Sequence, residues 1–480
     1  MTDDAGKDER WKCIMGVLVV AETASAFESS MTFAALPTFY KLFHDPANVG
    51  WVITAYLLVA AAATAICGRL GDIYGRSRVL LALLVLATAG SLTSAMANTL
   101  EGVIWGRAVQ GVAAAVLPLC YGLIRERMPQ LKVAWCIGVI AGTASVAAGA
   151  GFMLAGLMID FFTWHWIFYI STAVAAASVV LVALCLPPSP RRAAGARVDI
   201  IGGLLFAPAI AGLLLAVTKG QGWGWADGRA WTLLGSSALL LVFWARYELR
   251  HPNPLIDVRL FGHRQIALTN AGHALLGLGA MQLAQVLFVL LQQPAWTGVG
   301  LGVGATVAAL VKLPSALVAA VAAPWGGTLA GRSGARRAML AGSGILTAGW
   351  AALALYHGTV WMVALGTVVT GFGIAVAFSA IINLIVEVAP PARTSELTGL
   401  TQVVRVVSMA IGAQLITVAL ASSTVVNPAL GPGRYPDAPA FQLAFYLITG
   451  LSALAFLAAL LLPARGSMAP QASASTRLQP

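Results

Sequence analysis

The sequence predicts an all-α integral membrane protein of fourteen transmembrane helices with short connections. Three observations carry that reading. Hydrophobic residues make up 59 % of the 480, and Asp, Glu, Lys and Arg only 10 %, against about 25 % charged in ordinary soluble chains. So few charges cannot cover a soluble surface. Fourteen apolar runs are long enough to cross a hydrocarbon core of about 30 Å, and the basic residues gather on alternate connections between them.

The runs are 13–36, 50–67, 79–97, 102–124, 133–159, 166–186, 198–217, 230–247, 266–290, 303–322, 338–356, 360–385, 398–421 and 440–462. The first contains Glu22 and Glu28 with no small-residue cleavage site after it, so it reads as a retained span and not a signal peptide. With the N-terminus inside, twenty-two Lys and Arg fall on inner segments, four on outer ones (Lys41, Lys219, Arg229, Arg434) and three inside spans (Arg107, Lys312, Arg405). That asymmetry places both termini in the cytoplasm and accounts for the formal charge of +11 without a nucleic-acid partner. Trp51, Trp164, Trp166, Trp223, Trp225, Trp231, Trp296 and Trp361 sit near outer span ends, as an interfacial belt does. Cys13, Cys67, Cys120, Cys136 and Cys185 show neither Cys-x-x-Cys nor Cys/His clustering and read as small buried hydrophobes, with no disulfide framework or metal site.

An internal repeat organises the spans. The segment after the second reads Gly68-Arg69-Leu70-Gly71-Asp72-Ile73-Tyr74-Gly75-Arg76-Ser77-Arg78, and the segment after the tenth Gly327-Thr328-Leu329-Ala330-Gly331-Arg332-Ser333-Gly334-Ala335-Arg336-Arg337. Glycine, leucine, glycine and arginine recur at one offset of 259 residues. Parallel repeats of this kind belong to transporters built from two six-helix halves. The surplus in the offset matches two extra spans. The expected organisation is a tail over 1–12, a six-helix bundle over 13–186, two inserted spans with basic cytoplasmic linkers over 187–264, a second bundle over 265–462 and a disordered tail over 463–480.

The first repeat copy resembles the hallmark loop of the major facilitator superfamily, and further motifs extend the resemblance over nearly the whole chain. Arg107-Ala108-Val109-Gln110-Gly111 matches the family's Arg-x-x-Gln-Gly element, and Gly151-Phe152-Met153-Leu154-Ala155-Gly156 resembles the fifth-span antiporter signature. Trp164-His165-Trp166-Ile167-Phe168 looks like the element that follows it. The stretch from Tyr247 to Phe261 and the stretch Phe27-Glu28-Ser29 through Ala35-Leu36-Pro37 are similar to motifs of the fourteen-span drug:proton antiporter branch. Phe152 stands where the signature has proline, so this span is expected to be straighter. The resemblance implies the major facilitator fold, two six-helix bundles plus two spans, and alternating access in the cell inner (cytoplasmic) membrane.

Charges inside spans cost roughly 2.5–3.5 kcal/mol at a helix centre, so each is a functional candidate. An acid held out of water is a candidate proton carrier. Glu28 occupies the branch's first-span acid position; Glu22 has no such match and points about 120° away, ~9 Å along the helix. Substrate-cavity candidates are Arg107, Gln110, Lys312, His273 and Gln282, with Gln285 on the same polar stripe as the last two. Arg405 reads as close enough to the inner surface to snorkel. Asp72 at the solvated inner edge, with Gly75 and Arg76, is implied to lock one conformation, and Gly151, Phe152 and Gly156 to act in gating. No phosphate-binding loop, metal-ligand spacing or soluble domain is present, so the expectation is a non-enzyme without cofactor or metal, whose partners are a small molecule, protons and the bilayer, with no obligate protein partner. The implied function is proton-coupled export of amphipathic drugs; the alternatives are a proton-coupled transporter of one specific metabolite, for which Lys312 would cue an anionic one, and a non-transporting sensor, disfavoured by the short Ala/Ser/Pro/Gln-rich tail.

Topology is tested by single cysteines and an impermeant thiol reagent. Sites at 195 and 260 are expected to stay unlabelled from outside, and sites at 225 and 433 to label. Strong outside labelling at 195 reverses the orientation.

Overall fold

A computed structural model describes residues 2–43, 49, 51–189, 199–224, 226–252, 254, 256, 258–426 and 434–463. The tail 464–480, linker residues Arg191, Arg192 and Arg197, and positions 195, 225 and 433 lie outside them, as do the side chains of Phe33, Leu36 and Pro37. Fourteen helical segments are long and apolar enough to span a membrane, one for each run in the sequence. An even number puts both termini on one face, the terminal face, opposite a far face.

The helices are α1 (Thr2–Phe43), α2 (Trp51–Tyr74), α3 (Arg76–Met96), α4 (Leu100–Gln110), α5 (Val116–Arg127), α6 (Val133–Phe161) and α7 (His165–Cys185). After them come α8 (Ile200–Trp223), α9 (Gly228–Arg250), α10 (Arg264–Leu278), α11 (Leu283–Gln292), α12 (Ala305–Ser333), α13 (Ala335–Leu355), α14 (Val360–Val388), α15 (Thr394–Ala421) and α16 (Ala438–Leu460). The backbone is helical from Thr2, so the segment expected as a tail over 1–12 extends the first helix. The fourth span is α4 and α5 joined by a 3₁₀ turn, Gly111–Ala115, and the ninth is α10 and α11 joined at Gly279 and the turn Ala280–Gln282. Pro314 and Pro324 lie inside α12, each removing one backbone donor from the ladder. One feature was not expected: an antiparallel ribbon on the far face, Thr424–Val426 paired with Arg434–Pro436 in the register Val425 to Tyr435. Gln293 at the end of α11 donates to the Pro436 carbonyl at 2.6 Å, and Trp296 packs edge-on to Tyr435 at 5.4 Å.

The repeat segments proved to be helical, not loops. Helix α2 runs on to Tyr74 and α12 to Ser333; the last turns of α2 bury Arg69 and Asp72 against protein, whereas Gly331 and Arg332 at the end of α12 are exposed. The turns are single glycines: Gly75 at φ 102° and Gly334 at φ 93°, 259 residues apart and both in a region that side-chain-bearing residues avoid.

The two halves meet along two seams at the terminal-face side. In one, α6 lies against α12, and a Cβ on Gly138 or Gly327 would collide with the Ala323 or Ala134 backbone. In the other, α2 and α5 lie against α15, with Gly68 over Ser395 and Gly399 over Thr64. The additional pair α8 and α9 covers only the second seam. Phe206, Ile210, Leu214 and Trp244 pack with Ala61 and Ala65 of α2 and with Leu400 and Val403 of α15.

Replacing Gly75 by Ala forces a Cβ into that φ and to within 2.9 Å of the Ser189 carbonyl oxygen. Thermal unfolding in detergent is expected to show a loss of about 1–3 kcal/mol, with Gly334→Ala losing less. Equal stability of Gly75→Ala and the parent contradicts the turn geometry.

Candidate functional site

Glu28 is buried in the N-terminal half, 1 % exposed, at the head of a chain of hydrogen bonds. Ser91 of α3 donates to its Oε1. Gln110 Nε2 donates to Ser91 Oγ at 2.8 Å, and Arg107 donates to Gln110 Oε1 at 2.7 Å. Arg107 and Gln110 are one helical turn apart on α4, so they face the same way. The Arg107 guanidinium also donates to the backbone oxygens of Glu28 at 2.6 Å and Val52 at 3.3 Å, and it lies 4.2 Å from the centre of the Tyr56 ring. It is 1 % exposed and does not snorkel. Glu28 Oε2 makes no hydrogen bond of good geometry; the hydroxyl of Ser171 on α7, itself unpartnered, is close enough to act on the carboxylate. Sequence reasoning named Glu28, Arg107 and Gln110 but missed Ser91 and Tyr56, because serine and tyrosine inside an apolar span carry no signal until the neighbouring helices are placed.

Glu22 points elsewhere, as the 120° offset requires. It is buried, its Oε2 is unpartnered, and its charge acts through space on Cys120 and Tyr121 of α5 and on Arg405 of the other half. Arg405 does not sit near the inner surface as the apolar run suggested. Helix α15 begins at Thr394, so Arg405 lies roughly 16 Å along it. Its guanidinium stands 5.4 Å from the Phe378 ring centre. His273 is fully buried 5.9 Å from the same ring, with both ring nitrogens unpartnered. Gln282 is no free cavity group: its amide spans the break between α10 and α11, donating to Gly277 at 2.8 Å and Met409 at 2.9 Å. Gln285 is likewise held by Ala413 and Thr417 of α15. Lys312, partly buried in α12, has no hydrogen-bond or ion-pair partner among the described residues.

Helix α6 is a single unbroken helix with no internal proline. In its signature, Gly151 packs on Ser30 of α1 and Gly156 meets nothing within 4 Å; Phe152 is half exposed. The glycines of α6 that face the other half are Gly138, the first glycine of the signature, with Gly142 and Gly149 between it and the Gly151–Gly156 core.

Asp72 is not at a solvated edge; it is 4 % exposed between the halves. Its Oδ1 accepts from Arg76 Nε at 2.8 Å, and its Oδ2 accepts from the backbone N–H of Glu396 at 2.9 Å, in the first turn of α15. A carboxylate there satisfies an orphan donor and meets the positive end of the helix dipole. Arg76 also donates to the carbonyls of Gly122 at 2.9 Å and Pro391 at 2.7 Å and pairs with Glu126 at 3.3 Å. Arg69 pairs with Glu396 at 3.1 Å, and Arg125 donates to Thr394 Oγ1 at 3.0 Å and to the Ala389 carbonyl. The second repeat has Gly331 and Ala335 at the positions of Asp72 and Arg76. Among the described residues, the charged latch is therefore found on one seam only.

Two homologous six-helix bundles, latched at one face and meeting around buried charges at mid-membrane, define a secondary transporter. The sequence matches the model of the Major Facilitator Superfamily over residues 18–413 and 315–478, and the chain belongs to that family. It is 29 % identical over 402 residues to the multidrug resistance protein Stp of Mycobacterium tuberculosis, covering 82 % of this chain and 74 % of that one. It is 26 % identical over 426 residues to the tetracenomycin C resistance and export protein of Streptomyces glaucescens, covering 86 % and 76 %. The fold is that of the human organic anion transporter MFSD10, with a TM-score of 0.66 at 14 % identity over 93 % of this chain and 99 % of that chain.

Asp72→Asn keeps an acceptor for the Glu396 N–H but removes the charge that Arg76 faces. The burial now seen adds a stability cost of about 1–3 kcal/mol, and a cysteine at position 398 is expected to react faster from the terminal face. Unchanged reactivity there shows that the latch does not hold the halves together.

Proposed function

We propose that this transporter exports amphipathic small molecules across the cytoplasmic membrane in exchange for protons, with the terminal face in the cytoplasm. The observation that carries the reading is Glu28: a carboxylate buried in the N-terminal half, one oxygen on Ser91 and the other without a hydrogen bond of good geometry. An ionised carboxylate there is costly without a counter-charge. Arg107 supplies one, though its nearer bonds go to Gln110 and to the Glu28 backbone. Protonation removes the Glu28 charge and gives its carboxyl a proton to donate into the Ser91–Gln110 chain. Proton and substrate competing for the state of that one group is sufficient for exchange, because each end state leaves it either protonated or compensated. The positive-inside asymmetry supports the orientation, and the resistance and export roles named for the two bacterial relatives support export.

The unpartnered Lys312 favours a second reading, transport of one specific anionic metabolite, over the same fold.

Glu28→Gln preserves size and hydrogen bonding but cannot titrate. In proteoliposomes with an imposed pH gradient, uphill transport is expected to fall to background, while substrate exchange at equal pH survives. Glu22→Gln is expected to reduce uphill transport by less than tenfold. Full uphill transport by Glu28→Gln together with failure of Glu22→Gln reverses the two roles.

A further inference from the structure

We infer that the groups around Arg405 form a recognition site for an anionic aromatic solute, the guanidinium taking its acidic group and the Phe378 ring its apolar ring. This deepens the export reading by naming a substrate class, but its chemistry does not depend on proton coupling.

The molecule treats its buried guanidinium groups in two ways. Arg76 and Arg107 are saturated, each donating to at least three protein oxygens. Their donors are taken up by the protein itself. Arg405 makes no hydrogen bond and no ion pair among the described residues, and its Nε is buried without a partner. Arg405 is partly buried, and a guanidinium with no protein acceptor inside a membrane protein is left free to take one from a solute, whereas Arg69, whose Nε is also unpartnered, has its Nη1 on Glu396.

The neighbours share that condition. Both ring nitrogens of His273, the Tyr121 hydroxyl and both amide atoms of Gln402 are buried and unpartnered. Gln402 is one helical turn from Arg405 on α15, and the Arg405 charge acts through space on His273 and Tyr121. Phe378 ties the group together, 5.4 Å from the guanidinium and 5.9 Å from the imidazole. These side chains come from α5, α10, α14 and α15, so both halves contribute. Donors dominate: guanidinium, phenol, amide and one imidazole N–H. The one acid within reach, Glu22, is close enough for its charge to act on Arg405, yet no ion pair closes between them. A guanidinium beside a ring keeps its N–H edge free for a planar acid, and a flat apolar solute finds the aromatic face next to it.

The test uses the full chain in lipid nanodiscs with three matched probes: 2-naphthoate, 2-naphthamide and 2-naphthylmethylammonium. Wild type is expected to bind naphthoate at least tenfold more tightly than the amide. Arg405→Gln is expected to lose that tenfold while amide affinity stays within twofold, which also shows that the variant is folded; Arg405→Lys recovers part of the preference. Phe378→Leu is expected to weaken both naphthoate and amide. Equal binding of naphthoate and amide by wild type overturns the proposal without any variant. So does a preference for the ammonium that Glu22→Gln abolishes, which assigns the spot to cations. If naphthoate binding depends on Arg405 while no probe moves uphill under a pH gradient, proton-coupled export falls and the anion site stands.

Discussion

A charge or an unsatisfied backbone group inside a bilayer has no water to turn to, and every feature of this protein answers to that constraint. It dictates helices, since only they close their own hydrogen bonds within a segment. It also dictates where chemistry sits. Side chains on the lipid face have nothing to bond, so the acids, arginines and amides of the spans turn inward. Glu28, Arg107, Gln110 and Ser91 come from three helices and solve the problem jointly. Asp72 solves it differently, by borrowing the open N-terminus of a helix in the other half.

The latch and the interior cluster are therefore the same physics at two depths. At the terminal face every charge in the latch set has a counter-charge: Asp72, Arg76, Glu126, Arg69 and Glu396 form one connected set. Near the midplane, pairing is incomplete, and the leftover capacity belongs to Arg405, His273, Gln402 and Glu22. A saturated network holds a conformation. An unsaturated one is where a solute or a proton changes the energy.

Much of this was legible in the sequence. The fourteen spans follow from apolar runs, and the 259-residue offset pairs two of the five positive-φ glycines among the described residues, Gly75 and Gly334. The Arg107–Gln110 element sits on one face because three residues make nearly one turn. What failed to show was depth. Apolar runs end where polar residues begin, so Asp72 read as solvated and Arg405 as peripheral. In fact the polar turns Gly68–Tyr74 and Thr394–Glu396 are helical and buried against each other, which moves both residues inward. Ser91 could not be read at all, because its role depends on which helices touch, and span periodicity does not encode that. Gln282 shows the converse: a polar residue in a span, conspicuous in sequence, whose amide staples a broken helix.

The position of α8 and α9 bears on how the membrane itself acts on the machine. They pack over the seam between α2 and α15 and leave the seam between α6 and α12 facing outward. Acyl chains thus press directly on one hinge line, while the other is padded by protein. Bilayer thickness and lateral pressure then load the two bundles unevenly, and a solute dissolved in the leaflet meets a groove of small residues on one flank and a wall on the other. The two extra helices make an otherwise pseudo-twofold device lopsided with respect to its lipid surroundings.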